Sequence, residues 1–285
     1  MANSELLGAR HTVNLPSGTI EYAERGTGAP VLFVHGLLVN GDLWRNVVPV
    51  LADAGFRCVT PDWPLGSHTV PMPPAADLSP PGVARLIAEF LDVLDLSDVT
   101  VVANDTGGAL VQILMTQHPT RLGRVVLTPC DAFEDFFPPG FAALPKLAAI
   151  PGSMRLMARV LQVPVLQRSR MGFGMTVRQP IPDHVLRSYV GPCGRSAQIR
   201  RDLKRFLRGV HKRYTLAAAK RLPAFGKPVL LVSAADDRIF GHELADRLAA
   251  LLPDASQVTV ADSGTFVPED QPAELAKLLV DFMTG

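Results

Sequence analysis

The stretch that most constrains this chain runs from Val99 to Leu110 and reads VTVVANDTGGAL. A β-branched apolar run ends at Asn104. After one acidic residue, a threonine and two glycines, Ala109 to His118 read as a helix, with Leu110, Ile113 and Leu114 at helical spacing. A strand that turns this sharply into a helix needs small residues where the two backbones meet, and Gly107 and Gly108 supply them. The apex residue, Asp105, is then held in a strained turn with its side chain aimed along the helix N-terminus. Alone, such an aspartate would read as an N-cap for orphan backbone N–H groups. The rest of the chain argues for more.

With 285 residues, 47% of them hydrophobic and 19% charged, there is material for one large α/β domain carrying an insertion. A net charge of +1 offers no electrostatic reason to expect nucleic acid or an anionic membrane as partner. No apolar run reaches membrane-spanning length. Cys58, Cys130 and Cys193 have no metal-ligand spacing and read as reduced thiols. The first residues lack a basic stretch followed by a long apolar one, so the expected location is cytoplasmic.

Strand signals fall at residues 11–15, 19–24, 30–34, 56–60, 99–104, 124–127, 228–233 and 257–261. Helical periodicity falls at 42–53, where Pro49 shifts or kinks the helix, and at 80–94, 109–118, 243–252 and 272–282. Between about Pro129 and Leu222 the alternation stops. That segment is first rich in proline and phenylalanine, then helical and basic. Alternating strands and helices predict a mostly parallel sheet with helices on both faces, with function at the carboxyl ends of its strands.

Several motifs now line up. His35-Gly36 follows a buried strand, and the elbow Ala103-Asn104-Asp105-Thr106-Gly107 carries a carboxylate where G-x-S-x-G places serine. A helical insertion follows, then Ala235-Asp236-Asp237-Arg238 after a strand, then Asp262-Ser263-Gly264-Thr265-Phe266-Val267-Pro268-Glu269-Asp270. In this order they resemble the α/β-hydrolase fold superfamily, and the aspartate at the elbow resembles its haloalkane dehalogenase and epoxide hydrolase branch. The resemblance implies an eight-stranded, mostly parallel sheet, with a core of residues 1–130 and 223–285 and a helical cap over 131–222.

The resemblance also implies roles. Asp105 takes the place of the nucleophile, Asp237 that of the acid, and the backbone N–H groups of Leu37 and Thr106 that of the oxyanion hole. Asp236 and Asp131 are alternatives for the acid, each read here as a loop or cap carboxylate. The position of the family histidine is occupied by Thr265, and the last histidine in the chain is His242. If another histidine compensates, His35 or His68 is the candidate. Asn104 and Tyr189 are further candidates for the pocket, and Tyr214 shares with Tyr189 the role of proton donor that epoxide hydrolases give to cap tyrosines. A basic face on the stripe Ile199, Leu203, Phe206, Leu207 and Val210 reads as solvated, the alternative being an inward arginine that binds an anion.

An aspartate is ionised at neutral pH and needs no base to attack, but water that cleaves the resulting ester does. The expectation is therefore an enzyme without cofactor or metal, acting on a small to medium hydrophobic substrate, whose ordinary hydrolytic turnover lacks a base. The alternatives are a non-hydrolytic isomerase, cyclase or lyase, and a ligand-binding pseudoenzyme. The partner expected is a small molecule, with no nucleic acid and no membrane; a homo-oligomer stays open.

Overall fold

A computed structural model describes residues 4–170 and 172–285. Eight strands form one sheet: β1 (Ala9–Leu15), β2 (Gly18–Arg25), β3 (Ala29–Val34), β4 (Phe56–Pro61), β5 (Val99–Asp105), β6 (Leu122–Cys130), β7 (Val229–Ala234) and β8 (Ala255–Val260). Their order is β1-β2-β4-β3-β5-β6-β7-β8. β1 and β2 pair antiparallel with each other, β2 pairs antiparallel with β4, and every later pairing is parallel.

The continuous apolar runs at the centre are explained by two-sided burial. Along β3, Leu32 and Val34 join one core cluster while Val31 and Phe33 join the other. Along β5, Val101 and Ala103 face the first and Val102 the second. Helices α2 (Pro80–Val93) and α3 (Thr106–Gln117) cover the first face. α1 (Val48–Asp53) and the last helix, α12 (Pro272–Thr284), cover the second. Ser79 caps α2 by accepting the Gly82 N–H, with Pro80 at the first helical position. The single helix expected over 42–53 is divided. A 3₁₀ turn at Gly41–Trp44 precedes α1, whose first turn holds Pro49.

Between β6 and β7 lie α4 (Leu144–Ala149), α5 (Ser153–Val160), α6 (Pro164–Gln167), α7 (Asp183–Arg195), α8 (Ala197–Gly209) and α9 (Arg213–Ala219). After β7 come α10 (His242–Leu251) and, after β8, α11 (Val267–Asp270). The apolar stripe of α8 is buried. Its basic face is solvated at Arg208, while Arg201 and Arg205 pair with Asp202 of the same helix. Arg201 and Arg205 donate to the carbonyls of Met72, Pro73 and Ala76, and Arg200 to those of Cys193 and Gly194. Prolines in the 71–81 connection remove N–H donors and break regular pairing, so its carbonyls take guanidinium donors instead.

Candidate active site

The elbow forms because β5 and α3 share Asp105, which sits at φ 56° and ψ −134°. A Cβ on Gly107 would lie 2.4 Å from the Val34 carbonyl oxygen, and one on Gly108 would lie 2.3 Å from the Cys130 Cβ. Only glycines let α3 start this close to the ends of β3 and β6. The helix therefore begins at Thr106, three residues earlier than its periodicity suggests.

The Leu37 N–H donates to Asp105 Oδ2 at 3.0 Å. Gly36 lies under the same carboxylate, where any Cβ would meet Oδ2 at 2.0 Å. Asp105 is enclosed, yet part of its surface stays open. Burial pushes its carboxyl up to about 6. The Thr106 and Leu37 amides pull against that shift, and the charge of Asp237 adds to it.

Asp237, on the loop after β7, accepts the Thr265 hydroxyl at 2.6 Å and the Ile239 and Phe240 N–H groups, all on Oδ1. Its Oδ2 is buried without a protein partner. Burial holds this carboxyl above its ordinary range against those three donors. Thr265 is fully buried, and its carbonyl accepts Asn104 Nδ2 at 2.8 Å. The same amide nitrogen also donates to Thr128 Oγ1 and the Pro129 carbonyl. Asn104 thus ties the Thr265 loop to β5 and β6, and its role is to position them.

Asp131 lies on the loop after β6 as expected, but not at the surface. It is fully buried, and its Oδ2 accepts the Thr106 hydroxyl at 3.2 Å while Oδ1 has no protein partner. Burial first, then the charge of Asp105, raises its carboxyl well above the usual range. Three acidic side chains therefore converge at the elbow, where two were expected. Among the described residues, no lysine or arginine pairs with any of them. Asp236 lies on the loop after β7, in keeping with its reading as a loop carboxylate, and pairs with Arg178.

The remaining candidates are committed elsewhere. His35 accepts the Trp63 N–H on Nε2 at 2.8 Å, and its Nδ1 lies 2.9 Å from the Gly36 carbonyl oxygen. Both ring nitrogens are used, and burial lowers the imidazole to about 4. It cannot serve as a base for Asp105. His68 turns Nε2 toward Asp202 of α8, at 3.5 Å. The Tyr189 hydroxyl donates to Glu269, which forms a two-pronged pair with Arg45, in the core cluster on the opposite face of the sheet from α3. Tyr214 meets Arg213 at the exposed edge. Neither tyrosine is a donor to the elbow.

One residue carried no functional reading in the sequence. Asp270 accepts three backbone N–H groups, from Gly264, Arg178 and Gln179. It clamps the Thr265 loop to the segment before α7. Its signal was the Glu269-Asp270 pair just after that loop.

The family model for the α/β hydrolase fold matches residues 29–272. Haloalkane dehalogenase 2 of Mycobacterium tuberculosis is 28% identical over 276 residues, which cover 93% of this chain and 91% of that protein. Cis-3-alkyl-4-alkyloxetan-2-one decarboxylase of Shewanella oneidensis is 26% identical over 291 residues, covering 96% and 88%. Among solved structures, epoxide hydrolase CorEH without ligand has the same fold, with a TM-score of 0.81 at 19% identity over 97% of this chain and 98% of that one. With the family model matched across β3 to β8, the elbow and the Thr265 loop, the chain belongs to the α/β-hydrolase fold family.

Proposed function

We propose that this chain is an enzyme in which Asp105 attacks a small, largely apolar electrophile, and that it releases the product without histidine-activated water. The observation that carries the reading is the Asp105 carboxylate at a strained apex, with Oδ2 held by the Leu37 amide. A carboxylate so held has one oxygen anchored and the other free to attack. Oδ1 forms a bond to carbon while the bond to a halide, or to the oxygen of a strained ring, breaks and the leaving group takes the electron pair. The product is an alkyl ester of Asp105, and the Leu37 amide, with Thr106 as its proposed partner, would stabilise the charge that develops on Oδ2 if that ester were attacked. The helical segment 131–222 is the cap that excludes water from this step.

Thr265 decides the second half of the cycle. A threonine hydroxyl that donates to Asp237 cannot also take a proton from water, and general-base assistance contributes roughly 10²–10⁴-fold. A cycle that expels Asp105 by fragmentation needs no such base. With a four-membered lactone, attack at the ring carbon bearing the alkyl oxygen frees a carboxylate. As CO₂ leaves, the electron pair of its C–C bond forms a new C=C bond, and the C–O bond to Asp105 breaks with its pair returning to the carboxylate, which leaves Asp105 unchanged. The Shewanella relative, a decarboxylase of such a lactone by name, supports a reaction of this class.

The test is intact-protein mass spectrometry after exposure to alkyl halides, epoxides and β-lactones. Halides and epoxides should leave a stable adduct on the peptide containing Asp105, lost in Asp105→Asn. A lactone that turns over should give alkene and CO₂ with no heavy oxygen entering Asp105 from labelled water. Reversible binding with neither adduct nor product would instead identify a ligand-binding protein.

A further inference from the structure

We propose that the surface formed by α4, α5 and α6 docks on anionic lipid membranes. The near-neutral total charge hides an asymmetry. Between Phe136 and Pro182 there are six lysines and arginines and no aspartate or glutamate, which leaves 22 cations against 27 anions in the remainder. Lys146, Arg155, Arg159 and Arg170 are exposed, and none pairs with a carboxylate among the described residues. The other two cations of this stretch are used, Arg168 by Asp183 and Arg178 by Asp236 and Asp262.

Among the described residues, the same stretch carries five of the eight large apolar side chains that stand exposed: Leu147, Ile150, Leu156, Val163 and Val165. Val165 is 77% exposed and Leu156 65%. α5 buries Met154 and Ala158 while Arg155, Leu156 and Arg159 point outward, so its outer face mixes leucine with arginine. α4 and α5 pack on each other and on α8, and α6 follows directly in the chain.

Charge complementarity selects the occupant. A second copy meeting this face about a two-fold axis would set cation against cation. Nucleic acid would answer the arginines and leave the leucine and valines exposed. An anionic bilayer answers both, because apolar side chains enter the boundary of headgroup and acyl chain while arginines reach the phosphates. No helix among the described residues is long and apolar enough to cross a membrane, so this contact lies on the surface.

The experiment is sedimentation of the full chain with vesicles of phosphatidylcholine alone and with added phosphatidylglycerol. The wild type should partition onto the anionic vesicles only, and salt should weaken it. Each neutralised arginine near the surface should cost about five-fold, so Arg155→Gln with Arg159→Gln should lower partitioning roughly 25-fold. Leu156→Ser with Val165→Ser should lower it further at high salt, where the apolar contact dominates. These side chains are exposed, so an unchanged Tm confirms that each variant is folded. Absence of binding to anionic vesicles, equal binding to both kinds, or wild-type binding by the double glutamine variant would overturn the proposal.

Discussion

The Thr265 hydroxyl donates to Asp237 Oδ1 at 2.6 Å, and that short bond joins the loop after β7 to the loop after β8. It also crowds three donors onto one oxygen while the other lies buried and bare. A buried carboxylate oxygen without a donor carries a desolvation cost, which a bound proton relieves. Asp237, Asp131 and Asp105 are all shifted in the same direction, upward, and burial is the largest cause for each. The site holds protons more tightly than the unfolded chain does.

That sign sets a pH dependence. A carboxyl whose folded pKa is about 6, against roughly 3.9 in the unfolded chain, binds more protons when folded. Its contribution to stability is present at low pH and is lost as pH rises between those two values. Asp105→Asn should therefore be more stable than the wild type at pH 7, by on the order of 2 kcal/mol. The difference should vanish near pH 4, as read by urea unfolding at each pH. Adduct formation should rise with pH through a midpoint near 6, because the carboxylate is the attacking form. A flat profile would contradict the nucleophile assignment.

Gly36 tests the anchor. Its Cβ would overlap Asp105 Oδ2 at 2.0 Å and Asp105 Cβ at 2.6 Å, so Gly36→Ala must displace the carboxylate. The backbone there is not in the left-handed region, so the chain should still fold, at a cost of about 1–3 kcal/mol for overpacking. Labelling at Asp105 should slow about a hundredfold, the usual result of an ångström of misplacement. An unchanged labelling rate in a folded variant would mean that the Leu37 amide does not position the reacting group.

Much of this was legible in the sequence, for a definite reason. Val31 to Val34 and Val99 to Ala103 are apolar on both faces, and only a strand covered on both sides buries such a run. Asp105 ends β5, and Asp237 and Thr265 lie on the loops after β7 and β8, so a motif could locate them. Asp131 also follows a strand, but its burial depends on β6 reaching Cys130 and on α3 starting early at Thr106. Neither has a periodic signature. Tyr189 was assigned to the pocket because it lies in the inserted segment. Which face of α7 it occupies is decided by Glu269 and Arg45, which are remote in sequence. Arg201 and Arg205 of α8 read as solvated because sequence periodicity cannot show that the 72–76 carbonyls lie against them.

Asp270 is expected to matter well beyond a surface aspartate. Asp270→Asn keeps one acceptor oxygen and loses the charge that gathers the Gly264, Arg178 and Gln179 amides. Hydrogen bonds to a charged acceptor contribute about 1.5–3 kcal/mol each, so a stability loss of roughly 2–3 kcal/mol is expected in chemical denaturation. Labelling at Asp105 should slow as well, since the Thr265 loop loses its clamp. A variant as stable as the wild type would show that the clamp is redundant.

Tyr189→Phe separates position in sequence from position in space. It removes the bond to Glu269 and leaves the Arg45–Glu269 pair in place, so a loss of about 1 kcal/mol is expected. Opening of an epoxide by Asp105 should be unaffected, because the hydroxyl stands in the other core cluster. A selective fall in epoxide reactivity, with halide reactivity preserved, would return Tyr189 to the role of proton donor.

Thr265→His asks whether the missing base is all that withholds hydrolysis. The loop is well held for the exchange. Gly264 is fixed by Asp270, the Phe266 N–H donates to the Thr176 carbonyl, and the Thr265 carbonyl accepts Asn104. An imidazole at this position inherits Asp237 as its partner and places its other nitrogen on the side of the elbow. Asp237, freed from a donor hydroxyl and given an imidazolium to stabilise, should then ionise more readily. Water attacking the Asp105 ester would have a base, and single-turnover labelling should become multiple turnover, faster by at least about 10². The imidazole also fills space that threonine leaves, so a lactone that fragments in the wild type should react more slowly in the variant. The two readings move oppositely in one protein. A folded Thr265→His that neither hydrolyses esters, epoxides and haloalkanes nor loses its native reaction would show that the cycle never depended on this position.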